Sequence, residues 1–456
     1  MAAACLSLQL NPLMTQGQIE ALEHHASADL RALYIPKLVS GEWCGTMNLT
    51  EPQAGSDVGA LRTKAEPNGD GSHAISGQKI YITWGDNDFT ANVCHLVLAR
   101  LPDAAPGTKG ISLFMVPKFI PDADGNPGKR NTLSVVSLVH KLGLHGSPTA
   151  VMQYDAAQGW LIGEPHKGMA AMFTMMNNAR LGVGVQGLGV AEGAYQHALA
   201  YAMERRQGKA GADGTAAIIE HADVRRMLAV MKAEIFSARA IALSCAVAID
   251  MGRATGLAEW RARAALLTPI AKAYGTDIGC EVANMGVQVH GGMGFIEETG
   301  AAQYLRDVRV TTIYEGTNGI QAMDLVGRKM LDGGEAAFRL IEEIEAQAEP
   351  ARPQFPNMAT AVWNAAETLR EATEWLLAQD MNDRFAGAVP YLRAFARVLG
   401  AHFHLKAALA EGGTGPRTEL ARVAIKRLLP EHAALLVQVR EGAAGLYALS
   451  PEDLLA

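Results

Sequence analysis

A chain of 456 residues exceeds what one ordinary hydrophobic core organises, so it is expected to hold two to four packed units and room for a buried pocket. Hydrophobic residues make up 49% and charged residues 19%, with a formal net charge of −7, which excludes a disordered polyelectrolyte and leaves no basic stripe for nucleic acid. Five cysteines, far apart and without a CxxC pair, argue against a disulfide framework or a zinc site and fit a reducing cytoplasm.

The first Lys or Arg is Arg31, so the mildly apolar start lacks the charged opening of a signal or transit peptide. No uninterrupted apolar run approaches the roughly 18 residues of a membrane-spanning helix, and no membrane partner is expected. Over 16–39 apolar residues recur at helical spacing (Ile19, Leu22, Leu30, Leu33, Tyr34), with Ser27 or Asp29 placed to cap a second helix. From 45 to 159 the texture becomes strand-like, with runs at 75–83, 93–101, 111–119 and 133–139 separated by turn clusters at 67–71, 102–107 and 122–128.

After Gly163 the helical period returns, in long Ala/Leu/Met-rich segments at 168–207, 215–252, 258–289 and 318–332 that read as an antiparallel four-helix bundle. Pro269 is expected to kink the third segment or to mark its first turn. Beyond Gly333 a helix runs to about 348, and Pro350, Pro353 and Pro356 read as a stiff connector to three more helical segments. The expected organisation is α+β and multidomain: 1–44 helical, 45–159 a compact β-domain, 160–332 a helical bundle and 333–456 a separate helical module.

Two distant segments concentrate glycine, hydroxyl and acid: TMNLTEPQAGSD at 46–57 and IYEGTNG at 313–319. Glycine lets a backbone approach a flat or phosphorylated ligand, and exposed amides and hydroxyls then meet its oxygens. Taken alone, these segments fit two ordinary capped turns as well as two binding loops. The histidines, including His24, His25, His140, His145, His166, His221 and His290, do not sit at ligand spacing with acids or cysteines, so no metal site is expected. Met169, Met172, Met175 and Met176 recur at helical spacing and read as core or pocket lining.

Four blocks decide between the readings: LTEPQAGSD at 49–57, KIYITWG at 79–85, QVHGGMGF at 288–295 and YLRDVRVTTIYEGTNGIQ at 304–321. In order and spacing they resemble the signatures of acyl-CoA dehydrogenases. The resemblance covers about 40–332, and HKLGLHGSP at 140–148 together with the helical tail is most similar to the larger bacterial branch that includes 3-methylmercaptopropionyl-CoA dehydrogenases.

That resemblance implies a β-barrel-like domain flanked by helical domains, with FAD at its junction with the second bundle and with a partner subunit. It assigns Leu49, Thr50, Tyr81 and Thr83 to the flavin ring, with Tyr81 standing where relatives commonly have tryptophan. Ser56 reaches the cofactor or the thioester ligand, and Thr317 contacts the flavin, although Gly319 stands where glutamine is usual. Arg205 and the block Gln288, Val289, Gly291 and Gly292 approach the flavin diphosphate of the neighbouring subunit, as a guanidinium fork and glycine amides would.

Arg180 and Asn177 lie toward the CoA moiety, with Asn177 where many relatives carry aspartate, and Gly316 lies beside the substrate. Glu315 is the implied base for the α-proton of the thioester. A carboxylate of ordinary pKa, about 4.3, is too weak a base for that proton, so burial is expected to raise it. The resemblance further implies an acyl-CoA substrate, possession of FAD, electron-transfer flavoprotein as the next carrier and at least a homodimer.

Only 48 residues precede the first block, fewer than the family usually carries, so 1–44 is expected to be a remnant of the first helical domain. An acyl-CoA oxidase and a truncated, non-catalytic scaffold stand as the alternative readings. Short or 3-methylmercaptopropionyl-like acyl groups are the expected substrates.

Overall fold

The structure, a computed structural model, describes residues 1–209 and 215–455, without the side chains of Asn177 and Asn178. By packing it divides into two units, Met1–Ala179 and Arg180–Ala456.

The first unit opens with α1 (Leu6–His25) and α2 (Ala28–Ser40). Leu6, Leu10, Leu13, Met14, Ala21 and Leu22 bury one side of α1, whose Gln18 donates Nε2 to the Cys94 carbonyl at 3.1 Å. Of the two candidate caps it is Ser27 that accepts from Leu30 N, and Gly41 ends α2 in the left-handed region. The strands follow: β1 (Trp43–Asn48), β2 (Lys64–Pro67), β3 (His73–Thr83), β4 (Asn92–Arg100), β5 (Ile111–Pro117), β6 (Phe119–Pro121), β7 (Pro127–Arg130), β8 (Leu133–Leu138) and β9 (Thr149–Ile162).

Pairing runs β1-β4-β2-β3-β9-β5, with β4 also pairing β5, so β4, β2, β3, β9 and β5 close on themselves like a barrel. Pairs are antiparallel except where β4 meets β1 and β2, which run parallel to it. Ile75, Ile82, Val97, Phe114, Val116, Met152 and Tyr154 fill the interior. A buried polar chain lies among them: Tyr154 OH donates to Asn48 Oδ1 at 2.9 Å, Asn48 Nδ2 to Thr46 Oγ1 at 2.8 Å, and Thr46 meets His95 Nδ1 at 2.7 Å.

Three long helices follow: α3 (Gly168–Glu204), which begins in the first unit, α4 (Ala222–Thr255) and α5 (Ala258–His290). Shorter ones succeed them: α6 (Ala301–Val308), α7 (Asn318–Gly327), α8 (Glu335–Ala348), α9 (Pro356–Ala378), α10 (Met381–Ala386), α11 (Ala388–Glu411), α12 (Pro416–Val423) and α13 (Glu431–Arg440). The bundle departs from expectation in two respects. Where α3 and α5 touch they run in the same direction, Gly184 lying against Ala271, Gly187 against Gly275 and Gly286 against Ala194. The fourth segment is short: α7 spans about 15 Å, and the long helix packed on both α4 and α5 is α11.

Residues 333–456, read from sequence as a separate module, therefore share one continuous core with the bundle, from Leu188 to Val439. The three prolines make only a short connection, since Pro356 is already the first residue of α9 and Phe355 before it is buried. Arg397 of α11 is buried and meets Glu234 of α4 at 2.6 Å and the Tyr274 hydroxyl of α5 at 3.0 Å. Pro269 sits inside an unbroken α5. By length and composition α4 could cross a membrane; here Met231, Ile235, Ile241 and Cys245 pack one side of it into the helical core, and Leu243 and Val247 are exposed on another.

Candidate active site

In the second unit the YEGTN stretch is a loop before α7 in which two consecutive residues are left-handed, Glu315 at φ 55° and Gly316 at φ 84°. Glycine adopts this region freely, but for a glutamate it costs about 1–3 kcal/mol and persists only where the surroundings over-determine it. Here they do. Gln321 of α7 donates Nε2 to the Glu315 carbonyl at 3.1 Å. Lys272 of α5 donates Nζ to the Gly316 carbonyl and to Asn318 Oδ1, both at 2.9 Å.

Asn318 Nδ2 in turn reaches Asp277 Oδ1 at 2.7 Å, Thr276 Oγ1 at 3.0 Å and the Ala273 carbonyl at 3.2 Å. Tyr314, on the other side of the base, donates its hydroxyl to Gln186 of α3. The close α3–α5 approach through Gly184 and Gly187 brings these donors within reach: a Cβ at Gly187 would lie 2.3 Å from the Gly275 carbonyl.

Glu315 Oε2 is buried and has no hydrogen-bond partner among the described residues. Burial raises the carboxyl from 4.5 to about 7, although Arg180 and Lys272 pull the other way. The result is a carboxylate half ionised near neutrality, with one oxygen free of donors among the described residues. Arg180 of α3 is buried and turned inward to Asp324 of α7 at 3.3 Å, which also holds Arg328 at 2.6 Å. In this placement Arg180 is a buried cation whose charge acts on Glu315 as well as on Asp324. Asn177 falls outside the residues whose side chains are described. The Thr317 hydroxyl accepts from Ile320 N at 3.2 Å as the N-cap of α7, which fixes its place at the start of that helix.

At the far end of α5, about 24 Å beyond Lys272, lies the glycine block. Val289 is buried, Gln288 is exposed, and nothing lies within 4 Å of a Cβ placed on Gly291 or Gly292. His290 stacks on Tyr201 of α3 with ring centroids 4.5 Å apart, and one turn on, Arg205 presents an exposed guanidinium. The structure thus gathers Arg205 and Gln288, Val289, Gly291 and Gly292 at one end of the α3–α5 pair and leaves Glu315 well away from them.

In the first unit the blocks 49–57 and 79–85 meet. Ile80 N donates to the Thr50 carbonyl at 2.9 Å, and Lys79 Nζ donates to the Leu49 carbonyl at 3.0 Å. Lys79 is fully buried and pairs with Glu51 at 2.8 Å. Burial works to raise the Glu51 carboxyl, but the Lys79 charge and hydrogen bonds from Lys79, Thr63 and Arg62 outweigh it and hold it at about 2. Burial pushes the Lys79 ammonium down to about 8 against the attraction of Glu51. These bonds tie Leu49 and Thr50 to the strand segment that leads into Tyr81 and Thr83.

A register shift in β3 between Lys79 and Ile82 leaves Tyr81 left-handed, φ 61°, with its ring 62% exposed. Ser56 is exposed on the loop beyond the Glu51–Ala54 bridge. Sequence reasoning missed Lys79, Lys272, Asn318 and Gln321. The lysines carried a signal, since each stands inside a run otherwise bound for the core.

Profiles of known domains match in the same order as these elements: "Acyl-CoA dehydrogenase, middle domain" over 46–157, "Acyl-CoA dehydrogenase, C-terminal domain" over 166–331 and "Acetyl-CoA dehydrogenase C-terminal like" over 340–450. The chain belongs to the acyl-CoA dehydrogenase family. Within that family it is 48% identical over 404 residues to a 3-methylmercaptopropionyl-CoA dehydrogenase of Ruegeria pomeroyi, covering 86% of this chain and 68% of that one. A butyryl-CoA dehydrogenase of Syntrophomonas wolfei is 41% identical over 360 residues, covering 75% of this chain and 59% of that one.

The chain thus spans between about half and two thirds of the length of the curated relatives it matches first. Its fold is shared with an acyl-CoA dehydrogenase from Bacillus anthracis solved with FAD, at a TM-score of 0.75 and 22% identity, covering 94% of this chain and 74% of that one. The acyl-CoA dehydrogenase domains meet the structural expectations in outline, a β-domain followed by helices, while the tail's shared core is a feature of the packing.

Proposed function

We propose that this chain catalyses α,β-dehydrogenation of an acyl-CoA thioester with Glu315 as the base and FAD as its cofactor. The observation that carries the reading is the Glu315 carboxylate: anchored through a left-handed backbone, one oxygen buried without a partner, and raised to about 7. Such a group takes a proton from carbon more readily than a solvated carboxylate and is still substantially ionised at neutral pH.

The residues present fit a flavin. Tyr81 offers an exposed aromatic face beside Leu49, Thr50 and Thr83 for a ring system. Arg205 and the open backbone at Gly291 and Gly292 suit a diphosphate, which in this reading belongs to the cofactor of a second copy of the chain. FAD, when bound, supplies the acceptor for the β-hydrogen as hydride. Glu315 removes the α-proton, and Lys272 and Arg180 oppose the effect of burial so that the carboxyl is still partly ionised before the substrate arrives. Gly316, left-handed and tied down through its carbonyl, keeps the chain beside the base free of a side chain where the thioester is expected.

Similarity to the Ruegeria pomeroyi enzyme supports short acyl groups of the 3-methylmercaptopropionyl kind as substrates. Electron-transfer flavoprotein as the acceptor and a homodimer rest on the family resemblance. The test is anaerobic bleaching of the flavin absorbance by a panel of short acyl-CoAs, comparing wild type with Glu315→Gln. Bleaching in wild type and none in the variant is the expected result; a flavin that no thioester bleaches sinks the reading. Peroxide formed on reoxidation would reassign the chain as an oxidase.

A further inference from the structure

We propose that Lys272 is the positioning residue of the base: its ammonium ties the Gly316 carbonyl and the Asn318 side chain to α5, and its charge favours the ionised form of the Glu315 carboxylate. The proposal rests on the reading of Glu315 as base.

A lysine without exposed surface in the middle of a helix is an expensive way to make two hydrogen bonds to neutral oxygens. A neutral amide could serve either acceptor and would avoid the desolvation of a charge. What an amide cannot supply is the positive field. No carboxylate among the described residues pairs with the ammonium directly, so the charge is not consumed by a dedicated partner. The carboxylates whose charge acts on it are Glu315 first and Asp277 second.

Arg180, the other cation facing the base, is in a different position, being committed to Asp324, which Arg328 shares. The charged and titratable groups around Glu315 are therefore Arg180 from α3, Lys272 and Asp277 from α5, Asp324 from α7, and Tyr314 from its own loop. Of the two cations, Lys272 alone also grips the loop that carries the base. Burial has already lowered its ammonium to about 8, which marks how little solvent reaches it.

The geometry couples position to charge. Lys272 grips the carbonyl of the residue that follows Glu315 and the side chain of the residue three after it. Asn318 passes the grip on to the Ala273 carbonyl and, one turn further along α5, to Thr276 and Asp277. Gln321 closes the opposite side through the Glu315 carbonyl. Removing the ammonium therefore removes one wall of the cage and the unneutralised cation at once, and the variants must separate these.

The experiment uses the full chain in four forms: wild type, Lys272→Met, Lys272→Gln and Lys272→Arg. Glu315 is titrated by its carboxyl infrared band, assigned by difference against Glu315→Gln, and anaerobic flavin reduction by butyryl-CoA is followed from pH 6 to pH 9. In wild type the midpoint is expected at about 7. Lys272→Gln, which keeps a donor and loses the charge, is expected to raise it by about one pH unit, and Lys272→Met to raise it at least as far. Lys272→Arg should stay near wild type.

Through the ionised fraction alone, flavin reduction at pH 7 then falls about fivefold in Lys272→Gln and recovers by pH 9. An unchanged midpoint in Lys272→Gln, or a loss of rate that no pH restores while the protein stays folded, overturns the proposal. If Lys272→Met does not fold, the Gln and Arg variants decide the matter. A wild type whose flavin no acyl-CoA bleaches would remove the dehydrogenase reading, and the infrared midpoints would still decide what Lys272 does.

Discussion

Replacing Glu315 by glutamine should inactivate the protein and make it more stable, and only above a definite pH. The carboxyl has an ordinary value of 4.5 and burial carries it to about 7 in the folded chain. At ~1.4 kcal/mol per pH unit, that rise amounts to about 3 kcal/mol. Because the folded value is the higher one, the native state binds more protons than the unfolded chain between these two limits. Stability contributed by the protonated group is therefore complete below pH 4.5 and is lost as the pH rises through 7.

Glutamine has no proton to lose, so Glu315→Gln escapes that loss. Urea unfolding followed by circular dichroism at pH 4, 6 and 8 should give equal stabilities at pH 4 and a variant about 2–3 kcal/mol the more stable at pH 8, an upper range because Arg180 and Lys272 relax around the charge. The same offset at all three pH values would mean that Glu315 is solvated in the folded chain, and the argument that burial prepares it as a base would fail.

Lys79→Met should destabilise the β-unit by about 3–5 kcal/mol, because it leaves Glu51 buried without its cation; thermal melts should show most of the loss recovered in Lys79→Met/Glu51→Gln. Gly187→Ala should cost about 1–3 kcal/mol in urea unfolding, since a Cβ there meets the Gly275 carbonyl at 2.3 Å and α3 must move away from α5. Arg205→Ala should weaken FAD binding at least tenfold, about 1.4 kcal/mol, in a fluorescence titration while the circular dichroism spectrum stays that of wild type. Arg397→Leu should cost about 3–5 kcal/mol and lower the single melting transition of the helical unit; a separate, earlier transition for 333–456 would contradict the shared core.

Much of the candidate site was legible because it is written locally. The YEGT stretch announces an acid next to a glycine, and QVHGG announces a helix end that a ligand can approach. The four blocks together were enough to select the family. What the blocks did not reveal is how the loops are held. Nothing in KIYITWG says that its lysine turns inward to Glu51 and the Leu49 carbonyl, because period-two alternation reports which face a residue takes and not its partner across the fold. Nor does the sequence say that the Thr317 hydroxyl also caps the helix that follows it.

Residue types and spacing by themselves determined the order of helices and strands in outline, since these depend on interactions within a few residues, while Glu315 and the glycine-rich ends were singled out by the family resemblance. Tertiary packing alone decided that α11 completes the bundle, that Arg180 turns inward to Asp324, and that Lys272 and Gln321, from two different helices, hold the Gly316 and Glu315 carbonyls. The physical reason is the same in each case. The free energy of a buried charge depends on what surrounds it, and for Glu315 the surroundings come from residues more than 40 positions away as well as from its own turn.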